Sequence, residues 1–159
     1  MKMRKLLSWS SLLLGVILIL TACGGIPKVD WTLTIDGAVS TPLELGYGEL
    51  AALPQRDLED ILMEKSLGEN ETGSWSGPEV SGILDRAGAG SFSSITATAA
   101  DGYAIEISRD ELDNAIIALQ KDGEWITKAE PDKGPIRLVC PETPANRWVF
   151  QVETLTVNP

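Results

Sequence analysis

Trp75-Ser76-Gly77-Pro78-Glu79-Val80-Ser81-Gly82-Ile83-Leu84-Asp85-Arg86-Ala87-Gly88 is the stretch from which the fold is read. Val80, Ile83, Leu84 and Ala87 recur at helical spacing and predict a short helix with one apolar stripe. Gly77-Pro78-Glu79 predicts its start, with Pro78 in the first turn, where a missing N–H leaves no bond unmade. Gly88 and Gly90 predict its end. Upstream, Leu58 to Lys65 predicts a strand. Leu67 to Gly77 is rich in Gly, Glu, Asn and Ser and predicts a polar loop that carries Trp75.

Short strands surround this helix. Trp31 to Ile35 alternates in side-chain type before an Asp36-Gly37 turn. Thr41 to Leu45 predicts an edge strand, because Pro42 cannot donate to a central ladder. Tyr47 to Leu53 predicts one or two helical turns ended by Pro54. Phe92 to Ala99 and Tyr103 to Ile107 flank Asp101-Gly102, a hairpin signal. Ser108 with Glu111 three residues on predicts a capped short helix. Ala115 to Gln120 and Glu124 to Ile126 flank a second hairpin at Asp122-Gly123. Ile136 to Cys140 and Trp148 to Val157 are the last strands. The expected fold class is α+β: mostly antiparallel, mixed sheets with short helices in a single domain.

The N-terminus reads differently. Lys2, Arg4 and Lys5 precede an apolar run from Leu6 to Leu20, then Thr21-Ala22-Cys23-Gly24-Gly25. A basic segment, an apolar segment and small residues make up a secretory signal. The run is short for the roughly 20 residues a bilayer span needs. Leu20 to Cys23 resembles the lipobox of bacterial lipoproteins, whose cysteine receives diacylglycerol with palmitate-type chains. The expected organisation is a signal peptide at 1–22, a lipidated tether at 23–30 and one domain at 31–159. Cys23 is the expected lipidation site. The expected location is the extracytoplasmic face of the cell membrane, with the acyl chains as the membrane contact.

Charge narrows the partners. The chain has 13 basic and 23 acidic residues, a net −10. Removing the three basic leader residues leaves −13. Such a domain repels phosphate backbones, so nucleic acid is not an expected partner. Histidine is absent, which excludes imidazole bases, Ser-His dyads and histidine metal ligands. With Cys23 lipidated, Cys140 has no second thiol to pair with. Cys140 lies in an apolar strand, where a free cysteine packs as a small hydrophobe.

Four stretches in order resemble the molybdopterin-binding domain of the sulfite oxidase family. They are Leu33 to Gly37 with Pro42-Leu43, then Trp75 to Gly88, then Ala100-Asp101-Gly102-Tyr103, and last Gly134 to Pro141 with Arg147-Trp148-Val149. The resemblance implies that family's fold over nearly all of Trp31 to Val157, and it implies molybdopterin as the possible cofactor. It also implies a cysteine thiolate on the metal, at the end of the strand before the tryptophan-glycine helix. There this chain has Ile61 to Ser66, with Lys65 or Ser66 at the ligand position. An ammonium does not ligate a high-valent metal, and a serine alkoxide, which can ligate molybdenum in principle, is not the donor the resemblance implies. Hence no metal site, no catalytic residue and no bound cofactor are expected.

The expected candidate cleft comprises Lys65, Ser66, Trp75, Tyr103, Arg137 and Arg147. The three tryptophans Trp75, Trp125 and Trp148 fit a cleft or a core, and core is the commoner use. Arg137 and Arg147 fit an anion site or pairing with the chain's many acids. The acids Asp57, Glu59, Asp60, Glu64, Glu69 and Glu71 lack calcium-loop spacing and read as a solvated face. The expected function is a non-catalytic binding or accessory module taking a small-molecule ligand or a membrane protein partner. The alternatives are a molybdopterin-dependent oxidoreductase or its electron-transfer component, and a surface scaffold without a small ligand.

Overall fold

The computed structural model describes residues 25–159. The signal peptide expected at 1–22 and the expected lipidation site Cys23 lie outside the described residues. In chain order the elements are β1 (Thr32–Gly37), β2 (Leu43–Gly46), α1 (Tyr47–Ala52), β3 (Gln55–Met63), β4 (Glu71–Pro78) and α2 (Val80–Ala87). Then follow β5 (Ser94–Ala99), β6 (Ala104–Ser108), a 3-10 turn at Asp110–Leu112, β7 (Ile116–Ala118), β8 (Gln120–Lys121), β9 (Glu124–Trp125) and α3 (Ile126–Ala129). β10 (Arg137–Val139), a 3-10 turn at Ala145–Arg147, β11 (Val149–Phe150) and β12 (Val152–Asn158) complete the domain. This is the α+β architecture expected. Among the described residues, no helix is long and apolar enough to cross a membrane.

Among the described residues, three sheets share one core. The first runs β2-β1-β12-β5-β6, the second β3-β4-β8-β9, the third β11-β10-β7. Pairing is antiparallel except for β1 with β12, which are parallel. The period-2 pattern explains the first sheet. Leu33 and Ile35, Ile95 and Ala97, and Leu155 and Val157 are buried at alternate positions. β2 lies at the edge, as Pro42 required. Trp31 Nε1 donates to the Val152 carbonyl at 3.0 Å and fastens the entering chain to the sheet.

α2 forms as predicted and buries Val80, Ile83, Leu84 and Ala87. Gly88 ends it in the left-handed region, with φ +69°. Its start corrects the expectation. Pro78 is the last residue of β4, and extended Glu79 precedes the helix. The polar loop expected at Leu67 to Gly77 is largely strand. β4 is central, with Gly73, Trp75 and Gly77 buried at alternate positions between exposed or half-buried Thr72, Ser74 and Ser76. Small residues read as a loop in composition, yet they let neighbouring backbones close in. A Cβ on Gly77 would strike the Ile117 carbonyl oxygen of β7.

Two further differences matter for the cleft. Ile126 opens α3 and is buried, where the sequence predicted strand. The last predicted strand is broken at Gln151, with φ +48°. The break sends β11 to β10 in one sheet and β12 to β1 and β5 in another.

Candidate functional site

A cleft of about 250 Å³ opens where the β3–β4 turn meets β10, β11 and the loop after α3. Lys65, Ser66, Lys133, Arg137, Trp148 and Phe150 line it, together with apolar Met63 and Leu67 and the carboxylate of Glu71. β10 is a fully buried strand and carries Arg137 inward, at 0 % exposure. β3 and β4 diverge after their last paired residues, Met63 and Glu71, and their connecting turn forms the lip.

Arg137 lies against two aromatic rings. Its guanidinium carbon lies 4.6 Å from the Trp75 ring centre and 3.7 Å from that of Phe150. Both rings are within cation–π reach of it. Trp75 in turn meets Trp148 edge to face at 5.8 Å. Arg137 Nη2 donates to Glu130 at 3.2 Å. Its Nε and Nη1 are buried with no hydrogen-bond partner among the described residues.

A charge network extends from this point. Lys121, almost buried, reaches Glu130 at 3.3 Å and Glu71 at 3.1 Å. Lys65 reaches Glu71 at 2.6 Å, and Lys133 reaches Glu130 at 3.3 Å. Four cations share two carboxylates, so the network keeps two positive charges in excess in an acidic chain. Hydrogen bonds from Lys65 and Lys121 pull the Glu71 carboxyl down to about 2. Burial pushes Glu130 up, but the charges of Arg137, Lys121 and Lys133 outweigh it and leave Glu130 below its ordinary value. Burial lowers Arg137 to about 10, against the pull of Glu130.

The structure brings Lys65, Ser66 and Arg137 into one cleft, with Trp75 as the floor beneath Arg137. Tyr103 and Arg147 do not line it. Tyr103 is half exposed at the β5–β6 turn, where Asp101 accepts from its backbone N–H. Arg147 donates from Nε and Nη2 to the two oxygens of Glu111, both at 2.7 Å, and from Nη2 to the Glu106 carbonyl. It is a clamp between the 3-10 turn at 145–147 and the end of β6, so pairing with an acid explains it. Lys133 also lines the cleft and begins the 133–147 region where the sequence placed it. Lys121, Glu130 and Phe150 belong to the site but carry no sequence signal: two are charges beside turns, the commonest solvated pattern, and Phe150 sits in a predicted core strand.

The donor set decides what cofactor chemistry the cleft could hold. At the implied metal-ligand position stand an ammonium, Lys65, and a hydroxyl, Ser66. The described cysteine, Cys140, is fully buried at the end of β10. Burial, with a smaller push from Glu111, raises its thiol to about 12. Its carbonyl is taken up by Trp148 Nε1 at 2.8 Å and by the Thr143 hydroxyl. Among the described residues, no three of His, Cys, Asp and Glu gather as a metal site. These residues do not fit a thiolate-held molybdenum.

A small domain of three sheets with a cationic, aromatic-floored cleft is the class of protein defined so far. Residues 23–159 match the family described as the oxidoreductase molybdopterin binding domain, and the chain belongs to that family. Among solved structures it is similar to the sulfane dehydrogenase SoxCD from Paracoccus pantotrophus, with a TM-score of 0.73 and 21 % identity. That likeness covers 84 % of this chain and 40 % of the other, so the chain spans well under half of its neighbour. No curated protein matches the sequence.

Proposed function

We propose that this chain is a lipid-anchored, extracytoplasmic binding or accessory module that keeps the molybdopterin-domain fold without metal chemistry. The observation that carries the reading is the donor set at the cleft. Lys65 and Ser66 stand where the family resemblance implies a thiolate, and Cys140 is locked in the core. An ammonium beside a high-valent metal repels it, and soft thiolate donation is missing. The Lys65–Glu71–Lys121–Glu130–Arg137 network fills the neighbouring space with paired charge. The anchoring half of the proposal rests on the basic and apolar leader and on Leu20-Thr21-Ala22-Cys23.

Two experiments test the halves. Cys23→Ala should leave the precursor uncleaved or released, with no lipid mass on its N-terminus; an acylated variant contradicts the anchor. The purified chain should neither oxidise sulfite nor reduce sulfoxides with artificial electron carriers. Turnover that scales with bound molybdenum supports the alternative, an oxidoreductase or its component.

A further inference from the structure

We infer that the cleft binds a compact organic acid, with its anionic head toward Arg137 and Lys133 and its apolar body against Phe150, Trp148 and Leu67. The inference rests on the proposed binding role and names the ligand class of that same site.

Three observations point to this chemistry. The first is the pair of unpartnered nitrogens on a fully buried arginine that lines the cleft. A buried donor without a partner is destabilising, more so when charged, so the site gains by receiving an acceptor. A charge-assisted bond to an anion is the strongest partner such a donor can find. The second is the local charge: Lys65, Lys121, Lys133 and Arg137 outnumber Glu71 and Glu130. The third is the apolar share of the wall. Phe150 is 38 % exposed and Leu67 is 87 % exposed at the mouth. A bare oxyanion leaves these surfaces wet, whereas a hydrocarbon body covers them.

Size and charge narrow the class. About 250 Å³ is below the usual range for drug-sized ligands, which begins at roughly 300 Å³. One ring or short chain fits. The chain's net −10 opposes multiply charged anions at long range, and Glu71 opposes them within the cleft. A monoanion suits both. Phe150 lies directly over the guanidinium, at 3.7 Å. Phe150 is partly exposed and covers the fully buried guanidinium, so its ring must shift to admit the head group.

Benzoate is the probe, with benzamide as the neutral isostere and inorganic phosphate as the bare anion. Each is titrated into the full-length, nitrogen-15-labelled chain in detergent micelles, with protein-free micelles as the blank. Benzoate should saturate, quench tryptophan fluorescence and shift the Arg137 Nε–H resonance, which Arg137→Lys identifies by its loss. Benzamide and phosphate should each bind at least about tenfold more weakly, the equivalent of about 1.4 kcal/mol. Lys133→Gln, at an exposed position that leaves Arg137 in place, should weaken benzoate several-fold. Equal binding of benzamide removes the role of the charge, and equal binding of phosphate removes the role of the apolar wall. No saturation by benzoate below about 10 mM, or an unmoved Arg137 signal, overturns the inference. A metal-free chain that ignores benzoate loses this inference alone. Stoichiometric molybdenum instead overturns the proposed function beneath it.

Discussion

Arg147 shows how one side chain can be read two ways from sequence and one way from structure. Beside the last loop it fits an anion site, but both its contacts with Glu111 are direct and parallel. The Arg147 hydrogen bond, with help from Ser108, holds the Glu111 carboxyl at about 2, down from 4.5. A depressed carboxylate contributes stability above its unfolded value and loses it as pH falls through the folded one. Arg147→Met should therefore be less stable than the parent above pH 4.5, and the gap should close as pH falls toward 2. Urea unfolding at several pH values reads this directly; a gap that is flat with pH denies the clamp. Cys140 is the second test at this scale. With its thiol raised to about 12 and no exposed surface, it should label slowly in the native state and rapidly once unfolded. Fast native labelling would reveal a reactive thiol. The placement of Cys140 in the core and of Lys65 and Ser66 at the cleft is consistent with their sequence context. Lys121 and Glu130 were not legible, because a lysine and a glutamate beside turns look solvated until the fold stacks them against Trp75 and Arg137.

β4 is the element in which sequence and structure part most clearly. Its glycines and serines carry the composition of a loop, yet it runs between β3 and β8 as a central strand. Close approach is the cause: Gly77 brings the backbones of β4 and β7 together, and any side chain there strikes the Ile117 carbonyl. Gly77→Ala should cost about 3 kcal/mol or more, since backbone has no rotamer with which to yield. Thermal or urea unfolding checks it; a change below about 0.5 kcal/mol would mean that the two strands part without penalty. α2 behaves in the opposite way. Its spacing and the left-handed Gly88 made it legible, because helical periodicity and a C-terminal glycine are local signals. Ile83→Ala should cost about 2–5 kcal/mol, because Ile83 lies wholly inside the core. The break at Gln151 left no comparable mark, since a positive φ at a glutamine depends on two sheets competing for one chain.

At the scale of the whole molecule, an acidic domain keeps a pocket of excess positive charge behind aromatic walls. The fold class and the four family stretches were legible because they rest on strand alternation, turn dipeptides and spacing. The cleft was half legible: its position followed from the resemblance, while its charge network is a product of three sheets converging. Family membership accounts for the fold, and the replaced donor set accounts for the proposed loss of metal chemistry. Molybdenum and pterin analysis of the protein purified from its own host is the most direct measurement of that claim. A folded chain should carry molybdenum far below stoichiometry and show no pterin absorbance. One molybdenum per chain, retained through purification with its pterin, would contradict it.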